Sequence, residues 1–517
     1  MRSTMQDVPL TVSRILRHGA AAHGGSRVVS WTGDGPRERS FAEIAARAGQ
    51  LATALRDELG VDGDQRVATL MWNTAEHLEA YLAVPSMGAV LHTLNLRLPQ
   101  RQLAYIIRHA DDSVVIADAS LVPLLPEVKR LIVVPDDYEE LIAGRDPDFP
   151  WPELDEREAA AMCYTSGTTG DPKGVAYSHR SIYLHSMQVN MIDVLGSTPA
   201  DTTLPVVPMF HVNAWGIPHA AFMGGVNLLM PGPHVQPPAL AEMIETVRPT
   251  HAAGVPTVWQ GLLQELRSRP RDVSSLQAVV VGGSACPPAL MRSYDEELGV
   301  RIVHAWGMTE MSPLGSVAVA PPAAEDEWSY RVTQGRFQPG VEARLCGPDG
   351  TVLPWDGAAV GELEVRGPCV TASYYAADAP DKFSPDGWLR TGDVGTITPD
   401  GYLTLTDRVK DVIKSGGEWI SSVELENHLM AHPGILEAAV VAVPDDKWGE
   451  RPLAVVVPEG EADFHALRDF LGERVARWQL PERWTVVESV PKTSVGKFDK
   501  KLIRAQYAGG ELDVTSL

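Results

Sequence analysis

Tyr164-Thr-Ser-Gly-Thr-Thr-Gly-Asp-Pro-Lys-Gly174 decides how the rest of this 517-residue chain is read. Three glycines and a proline in so short a span exclude a helix interior or a central strand, so the stretch is a loop. The apolar run 159–163 before it predicts a buried strand. Ser178, followed by apolar residues at helical spacing over 182–195, predicts a capped helix after it. A strand, a loop of Gly and hydroxyl residues, and then a helix is a construction that holds phosphate. Gly167, Gly170 and Gly174 let backbone N–H groups come close to oxygen, Thr165, Ser166, Thr168 and Thr169 add hydroxyls, and Lys173 adds charge. The stretch is not a Walker loop, because Pro172-Lys173-Gly174 stands where that motif needs Gly-Lys-Ser/Thr.

Working outward, strands alternate with helices on both sides. Segments 67–71, 89–94 and 113–117 read as strands, with helices over 75–87 and 100–109 between them. After the loop, 251–255, 277–281 and 301–304 read as strands between helices over 238–247, 257–267 and 287–297. That rhythm predicts parallel α/β sheets covered on both faces. Nearer the start, 27–31 and 37–40 read as a hairpin, and Ser40 with Glu43 forms a capping box ahead of a helix. From about residue 340 the texture changes to short alternating strands between Gly, Pro and Asp turns, which predicts a small distorted β-barrel. From Asp407 a compact α+β segment begins. The expected division is therefore a large N-terminal domain over 1–406 and a small mobile C-terminal domain over 407–517.

A length of 517 residues exceeds one ordinary core, in agreement with that division. The net charge of −23 argues against a nucleic-acid surface, which needs clustered Lys and Arg. Any phosphate site must instead gather positive charge locally. Cys163, Cys286, Cys346 and Cys369 show no metal-ligand spacing and read as buried apolar residues in a reducing compartment. The first twenty residues lack the apolar core of a signal peptide, and no run is long enough to span a membrane, so a cytoplasmic protein without an integral membrane segment is expected.

Three later stretches carry chemistry. A strand over 301–303 delivers His304-Ala-Trp-Gly-Met-Thr-Glu310, and the C-terminal end of a parallel strand is where open α/β sheets bind ligands. Trp306 can stack on a purine, Thr309 can bond phosphate, and Glu310 is a hard oxygen ligand suited to Mg²⁺. Gly282-Gly283-Ser284 makes another loop at a strand end. The carboxylate of Asp393, in Trp388-Leu-Arg-Thr-Gly-Asp393, can accept from two hydroxyls at once.

Together with the opening loop, these stretches resemble the adenylate-forming (AMP-binding) enzymes, a superfamily of acyl-CoA synthetases, luciferases and peptide-synthetase adenylation domains. The resemblance runs in order from about Arg27 to Leu502. It implies an ATP site made by Thr165, Ser166, Gly167, Thr168, Thr169, Gly170, Lys173, Gly283, Ser284, Ala305, Trp306, Gly307, Met308, Thr309, Asp393, Arg408 and Lys414. Asp393 would hold the ribose, and Thr165 and Glu310 would bind Mg²⁺. The family more often has Tyr where Trp306 stands, so a phenol hydrogen bond is lost while stacking is kept. In Asp407-Arg-Val-Lys-Asp-Val-Ile-Lys-Ser-Gly416-Gly417-Glu-Trp419-Ile420 the resemblance makes Asp407 a hinge. It assigns Lys410, Ser415, Gly416, Gly417 and Trp419 to CoA. Lys497, in Pro491-Lys-Thr-Ser-Val-Gly-Lys497, matches the catalytic lysine and acts with Thr165, Lys173 and Glu310.

The resemblance places His211, Val212, Trp215, Gly282, Gly283 and Met311 around the acyl group. No Asp or Glu occurs between Pro208 and Pro218, where amino-acid-activating relatives place an acid. The expected enzyme is an ATP-, Mg²⁺- and CoA-dependent ligase for a medium- to long-chain fatty acid. The alternatives are a short, aryl or methylthio-substituted acid, or an amine as acceptor. The small-molecule acid, ATP and CoA are the expected partners, with no nucleic acid. Relatives are often homodimers.

Overall fold

A computed structural model describes every residue except Arg2, 166–170, Gly417 and 494–495, and for Trp419 it describes the backbone only. The expected calls on Ser166, Gly167, Thr168, Thr169, Gly170, Gly417 and the Trp419 side chain therefore lie outside the described residues.

The large N-terminal part is built on two sheets. The first runs Leu131–Val134, Val114–Asp118, Arg66–Leu70, Val90–Thr93, Ala159–Tyr164 and Gly174–Ser178. Its first five strands are parallel, and only the last pairing, of Ala159–Tyr164 with Gly174–Ser178, is antiparallel. The parallel core of the second sheet is Arg27–Trp31, Asn227–Met230, Thr202–Pro205, His251–Gly254, Ala278–Val281 and Arg301–Gly307. The hairpin of Arg27–Trp31 with Pro36–Ser40 forms as expected, and so does the Ser40–Glu43 capping box. Helix Ala75–Ser86 is buried along its whole length. A helix enclosed on every side needs its acids paired. Glu79 accordingly accepts from Arg39, Arg47 and Tyr138.

The expected small barrel is not a separate layer. Strand Arg301–Gly307 pairs in parallel along Ala278–Val281, and then its outer end pairs antiparallel with Leu314–Val317. From there the antiparallel strands Gly335–Phe337, Tyr402–Arg408, Leu389–Ile397, Gly361–Arg366, Glu342–Cys346 and Val352–Leu353 continue the same sheet to 14 strands. Strand Tyr402–Arg408 therefore carries the chain out of this sheet and across residue 407.

Beyond it lies a third sheet with its own core. Strands Ile435–Asp445 and Gly449–Pro458 pair antiparallel, and neighbouring residues alternate between two apolar clusters. Val440, Ala454 and Val456 pack with Leu425, Leu429 and Trp484 on one face, while Val441, Leu453 and Val455 pack with Val490 and Ile503 on the other. That alternation is the period-two signature of a sheet covered on both sides. Among the described residues, no helix is long and apolar enough to cross a membrane. All four cysteines are free and buried.

Candidate active site

The strands that flank the glycine-rich stretch, Ala159–Tyr164 and Gly174–Ser178, pair antiparallel, so the stretch joins two strands and not a strand to a helix. Val175 and Tyr177 face inward from Gly174–Ser178 and Ala176 faces out. The helix starts only at His179, where Ser178 caps it by accepting from Ser181 N. It ends at Val189, short of the expected 195. The base of the hairpin is tied by Thr165 N donating to the Lys173 carbonyl at 2.9 Å and Lys173 N donating to Thr165 Oγ1 at 3.2 Å.

Above this hairpin lies a cavity of about 290 Å³. One end is polar, with Thr165, Asp171, Lys173, Glu310, Lys382, Arg408 and Lys497 on its wall. Four cations against two anions is a local reversal of a chain whose net charge is −23. Such a wall attracts phosphate. The other end is apolar, lined by Val189, Val194, Leu195, Trp215, Ile217 and Val317. A second cavity, of about 270 Å³, lies between the large and small parts. Gly283, Ala305, Trp306, Gly307, Arg408 and Lys497 line both cavities, and Ser284, His304, Asp393, Asp407 and Lys410 line only the second. The strand ends, the hairpin, the ribose candidate and the C-terminal lysine thus share one connected space.

Each polar group is held by its neighbours. Glu310 Oε1 accepts from the Tyr374 hydroxyl at 2.6 Å, and Lys173 Nζ lies 5.1 Å from the centre of the Tyr374 ring. Tyr177 donates to the Thr309 carbonyl at 2.7 Å, fixing the turn that carries Glu310. Trp306 is buried, and its Nε1 donates to Asp393 Oδ2 at 2.9 Å. Arg408 Nε lies 3.1 Å from Asp393 Oδ1. Trp306 therefore lines both cavities and at the same time supports the Asp393 carboxylate. Tyr374 and Lys382 were not found from sequence, because single residues in irregular turns carry no periodic signal.

Thr165 and Glu310 fit Mg²⁺. Both offer hard oxygen, and Tyr374 occupies only one oxygen of Glu310. Mg²⁺ commonly takes one or two protein ligands and keeps its water and phosphate oxygens. No cluster of three His, Cys, Asp or Glu suited to a metal occurs among the described residues, as such a sparse site requires.

Lys497 reaches in from the small part. A methyl group placed on Gly283, whose φ is +84°, would lie 3.2 Å from Lys497 Cε, so a side chain there would crowd the lysine. Burial, and then repulsion from Arg408, pushes the Lys497 ammonium down to about 8, with Asp393 and Glu310 opposing. Burial, with Lys497 next, pushes the His211 imidazole down to about 3, so His211 is neutral at ordinary pH.

His211 and Val212 line the apolar end beside Trp215, and Gly282 lets the Trp215 ring lie close against it. The turn that carries Trp215 is left-handed. Val212, Asn213, Ala214 and Trp215 have φ of 46°, 53°, 47° and 56°, and Gly216 follows at 73°. A left-handed conformation costs a non-glycine residue about 1–2 kcal/mol, so this segment must be held by its surroundings. Met311 is not in the acyl pocket. It is buried in the apolar cluster of the antiparallel region with Trp306, Leu345 and Leu363, because the short 3₁₀ turn Thr309–Met311 points Glu310 to the cavity and Met311 inward.

The residues expected around CoA are not gathered with the rest. Lys410 lines the second cavity, but Ser415 and Gly416 line neither, and Lys414, expected at the ATP site, also lines neither because its strand belongs to the third sheet. Strand Ile413–Ser415 pairs within the third sheet, Lys414 is exposed, and Ser415 accepts from Arg451 at 3.1 Å. Gly416, with φ +62°, is covered by the half-exposed Trp448, whose carbonyl accepts from Gly416 N at 2.8 Å. Asp407 is buried and accepts from Ser422 N at 2.7 Å. Lys500 donates to the same Ser422 hydroxyl at 2.7 Å and pairs with Glu426.

Comparison with known proteins agrees with this arrangement. Residues 16–375 match the AMP-binding enzyme family, and residues 424–497 match the AMP-binding enzyme C-terminal domain. The chain is 45% identical to a 3-methylmercaptopropionyl-CoA ligase of Ruegeria lacuscaerulensis, over 98% of this chain and 99% of that one. It is 43% identical to a medium-chain-fatty-acid–CoA ligase of Ectopseudomonas oleovorans, over 98% of both chains. Identity is 42% to a long-chain-fatty-acid–CoA ligase of Thermus thermophilus, over 98% and 97%. Among solved structures, the anthranilate CoA ligase AuaEII in complex with anthranoyl-AMP matches with a TM-score of 0.88 at 25% identity, over 98% of this chain and 100% of that one. A cavity lined by four cations and by a group of apolar side chains, and entered by a lysine of the C-terminal part, together with these matches over nearly the whole chain, places the protein in the AMP-binding enzyme family.

Proposed function

We propose that this AMP-forming acyl-CoA ligase activates a carboxylic acid with an apolar tail of short to medium length. The carrying observation is the shape and lining of the first cavity. Its lining includes Val189, Val194, Leu195, Ile217 and Val317, and among the described residues that line it the acids are Asp171 and Glu310. Its volume of about 290 Å³ includes the phosphate end and lies at the small end of the range for ligand pockets. A cavity of that size is in keeping with the short and methylthio-substituted alternatives as well as with the medium-chain end of the range expected from sequence. Relatives named for a methylmercaptopropionyl group and for medium-chain acids support the same range.

In this reading the acid's carboxylate oxygen attacks the α-phosphorus of ATP, the bond to the bridging oxygen breaks, and pyrophosphate leaves. Lys173 and the Thr165 turn hold the departing phosphates. Lys497 faces the charge that grows at the α-phosphate. Thr165 and Glu310 would hold Mg²⁺, which when bound supplies positive charge to the phosphates. Asp393, steadied by Trp306 and Arg408, takes the ribose hydroxyls. Holding the two anions in line can lower the barrier by about 7–11 kcal/mol. The thiol sulfur of CoA then attacks the acyl carbonyl and AMP leaves. Lys497 occupies the site while Gly416 is turned away, so the second step calls for the small part to rotate about Asp407.

The test is AMP release across saturated acids of two to eighteen carbons and 3-(methylthio)propanoate, with and without CoA. A maximum between about three and ten carbons that depends on CoA is expected. A maximum at sixteen carbons or more rejects the chain-length assignment. Full AMP release without CoA but with an added amine rejects CoA as acceptor.

A further inference from the structure

The left-handed turn at Val212–Trp215 is held from one side by a residue outside both cavities. Tyr81 lies on the fully buried helix Ala75–Ser86, which shares one apolar cluster with residues of both sheets. Its hydroxyl donates to the Met209 carbonyl and lies 3.2 Å from Asn213 Oδ1. Asn213 Oδ1 also accepts from Cys163 Sγ at 3.5 Å, on the strand that leads into the phosphate hairpin. Asn73, just before the same helix, receives Met209 N at 2.7 Å and donates to the Pro205 and Val207 carbonyls at 2.9 Å each. On the far side Gly216 lies against His185, leaving no room there for a side chain.

Four consecutive non-glycine residues in left-handed backbone persist only where the surroundings dictate it, and such segments concentrate where position matters for function. Val212 is β-branched, which makes its conformation the least tolerated of the four. What this turn delivers is Trp215, whose ring meets Gly282 in the wall of the acyl end. A Trp on an ordinary loop would move with the substrate. Here the indole is carried on a segment anchored to the most enclosed helix of the molecule.

We propose that Tyr81 and Asn213 are positioning residues for acid selectivity: they clamp the left-handed turn and so fix where Trp215 ends the acyl pocket. The proposal rests on the ligase reading above and adds the residues that set its substrate range. Two full-length variants test it. Tyr81→Phe removes only the hydroxyl. Ala214→Gly removes the conformational penalty at one left-handed position, because glycine adopts positive φ freely. For both, kcat/KM is measured for each acid in the series, together with the KM for ATP at saturating acid and the melting temperature.

The expected result for Tyr81→Phe is a fall of about tenfold in the ratio between the best and the poorest accepted acid, with the KM for ATP within twofold of the parent. For Ala214→Gly the melting temperature stays level or rises, while the ratio falls by about threefold or more. A purely structural role would lower activity on all acids by one common factor and raise the KM for ATP alongside. That pattern, or an unchanged ratio in Ala214→Gly, overturns the proposal. Should Tyr81→Phe fail to fold, the Ala214→Gly result alone decides. A parent enzyme that releases AMP with no acid of the series overturns the ligase reading itself, whereas an active parent with unmoved ratios overturns only the clamp.

Discussion

Two ends of the C-terminal part stand in contrast. The Lys497 end is docked: Thr257 donates to the Gly496 carbonyl at 3.3 Å, Gln260 bonds to the Leu436 carbonyl, and the lysine enters the space between Gly283 and Arg408. The Gly416 end is undocked, paired within its own sheet and covered only by Trp448. On the reading proposed above, the large part receives one of these ends at a time: the docked end brings the charge for adenylation, and the other end brings the small residues for a narrow thiol channel. The contrast teaches how one small domain could serve both half-reactions, with this structure corresponding to the first.

The largest effect should come from removing the docked charge. Lys497→Ala is expected to lower acid-dependent pyrophosphate exchange by roughly 10²–10³, the cost of one preorganised donor in other enzymes. Thioester formation from supplied acyl-AMP should stay within about threefold. Equal losses in both half-reactions would erase the distinction between the two ends. The next effect concerns the pivot. Asp407→Pro fixes φ and should lower thioester formation about tenfold or more while pyrophosphate exchange remains measurable. Equal loss in both would remove Asp407 from the hinge.

The pH response sharpens the same comparison. Lys497 is needed charged, and its ammonium is pushed down to about 8. It is therefore charged below that pH and neutral above it. The kcat/KM for pyrophosphate exchange should fall about tenfold per pH unit above 8, while thioester formation from acyl-AMP should lack this limb. Lys497→Arg should flatten the alkaline limb, because a guanidinium stays charged. The smallest effect belongs to Trp306→Phe, which keeps an aromatic wall but loses the 2.9 Å bond to Asp393. One hydrogen bond is worth about 1 kcal/mol, so the KM for ATP should rise roughly fivefold, with the acid preference unmoved.

Much of this was legible in the sequence, for physical reasons that differ by region. Parallel strands such as Val114–Asp118 and Ala278–Val281 are short apolar runs between helices, and that alternation is what marks a parallel sheet. The Ser40–Glu43 capping box was readable because both partners lie within one turn. Strand Gly174–Ser178 was not, because five residues after a glycine loop are too few to separate a period of two from a helix start. Ser178 was rightly read as a cap, yet the strand before it was missed. The continuity of the second sheet into the antiparallel region depends on Arg301–Gly307 changing partners halfway, which is a tertiary event. Met311 was misplaced because adjacent residues of a 3₁₀ turn point about 120° apart, so Glu310 and its neighbour face different surroundings. The left-handed turn left no signal, since Val-Asn-Ala-Trp contains no glycine and the Tyr81 that touches it lies 132 residues earlier in the chain.

The exchange of ends can be tested directly by preventing it. Gln260 and Leu436 touch across the docked face, and the native cysteines are all buried. Gln260→Cys with Leu436→Cys, joined by a short bis-maleimide, would hold the Lys497 end in place. The account predicts that the cross-linked enzyme keeps acid-dependent pyrophosphate exchange and loses thioester formation from acyl-AMP, while the same double variant without cross-linker performs both. Thioester formation at the same rate in the cross-linked protein would contradict it.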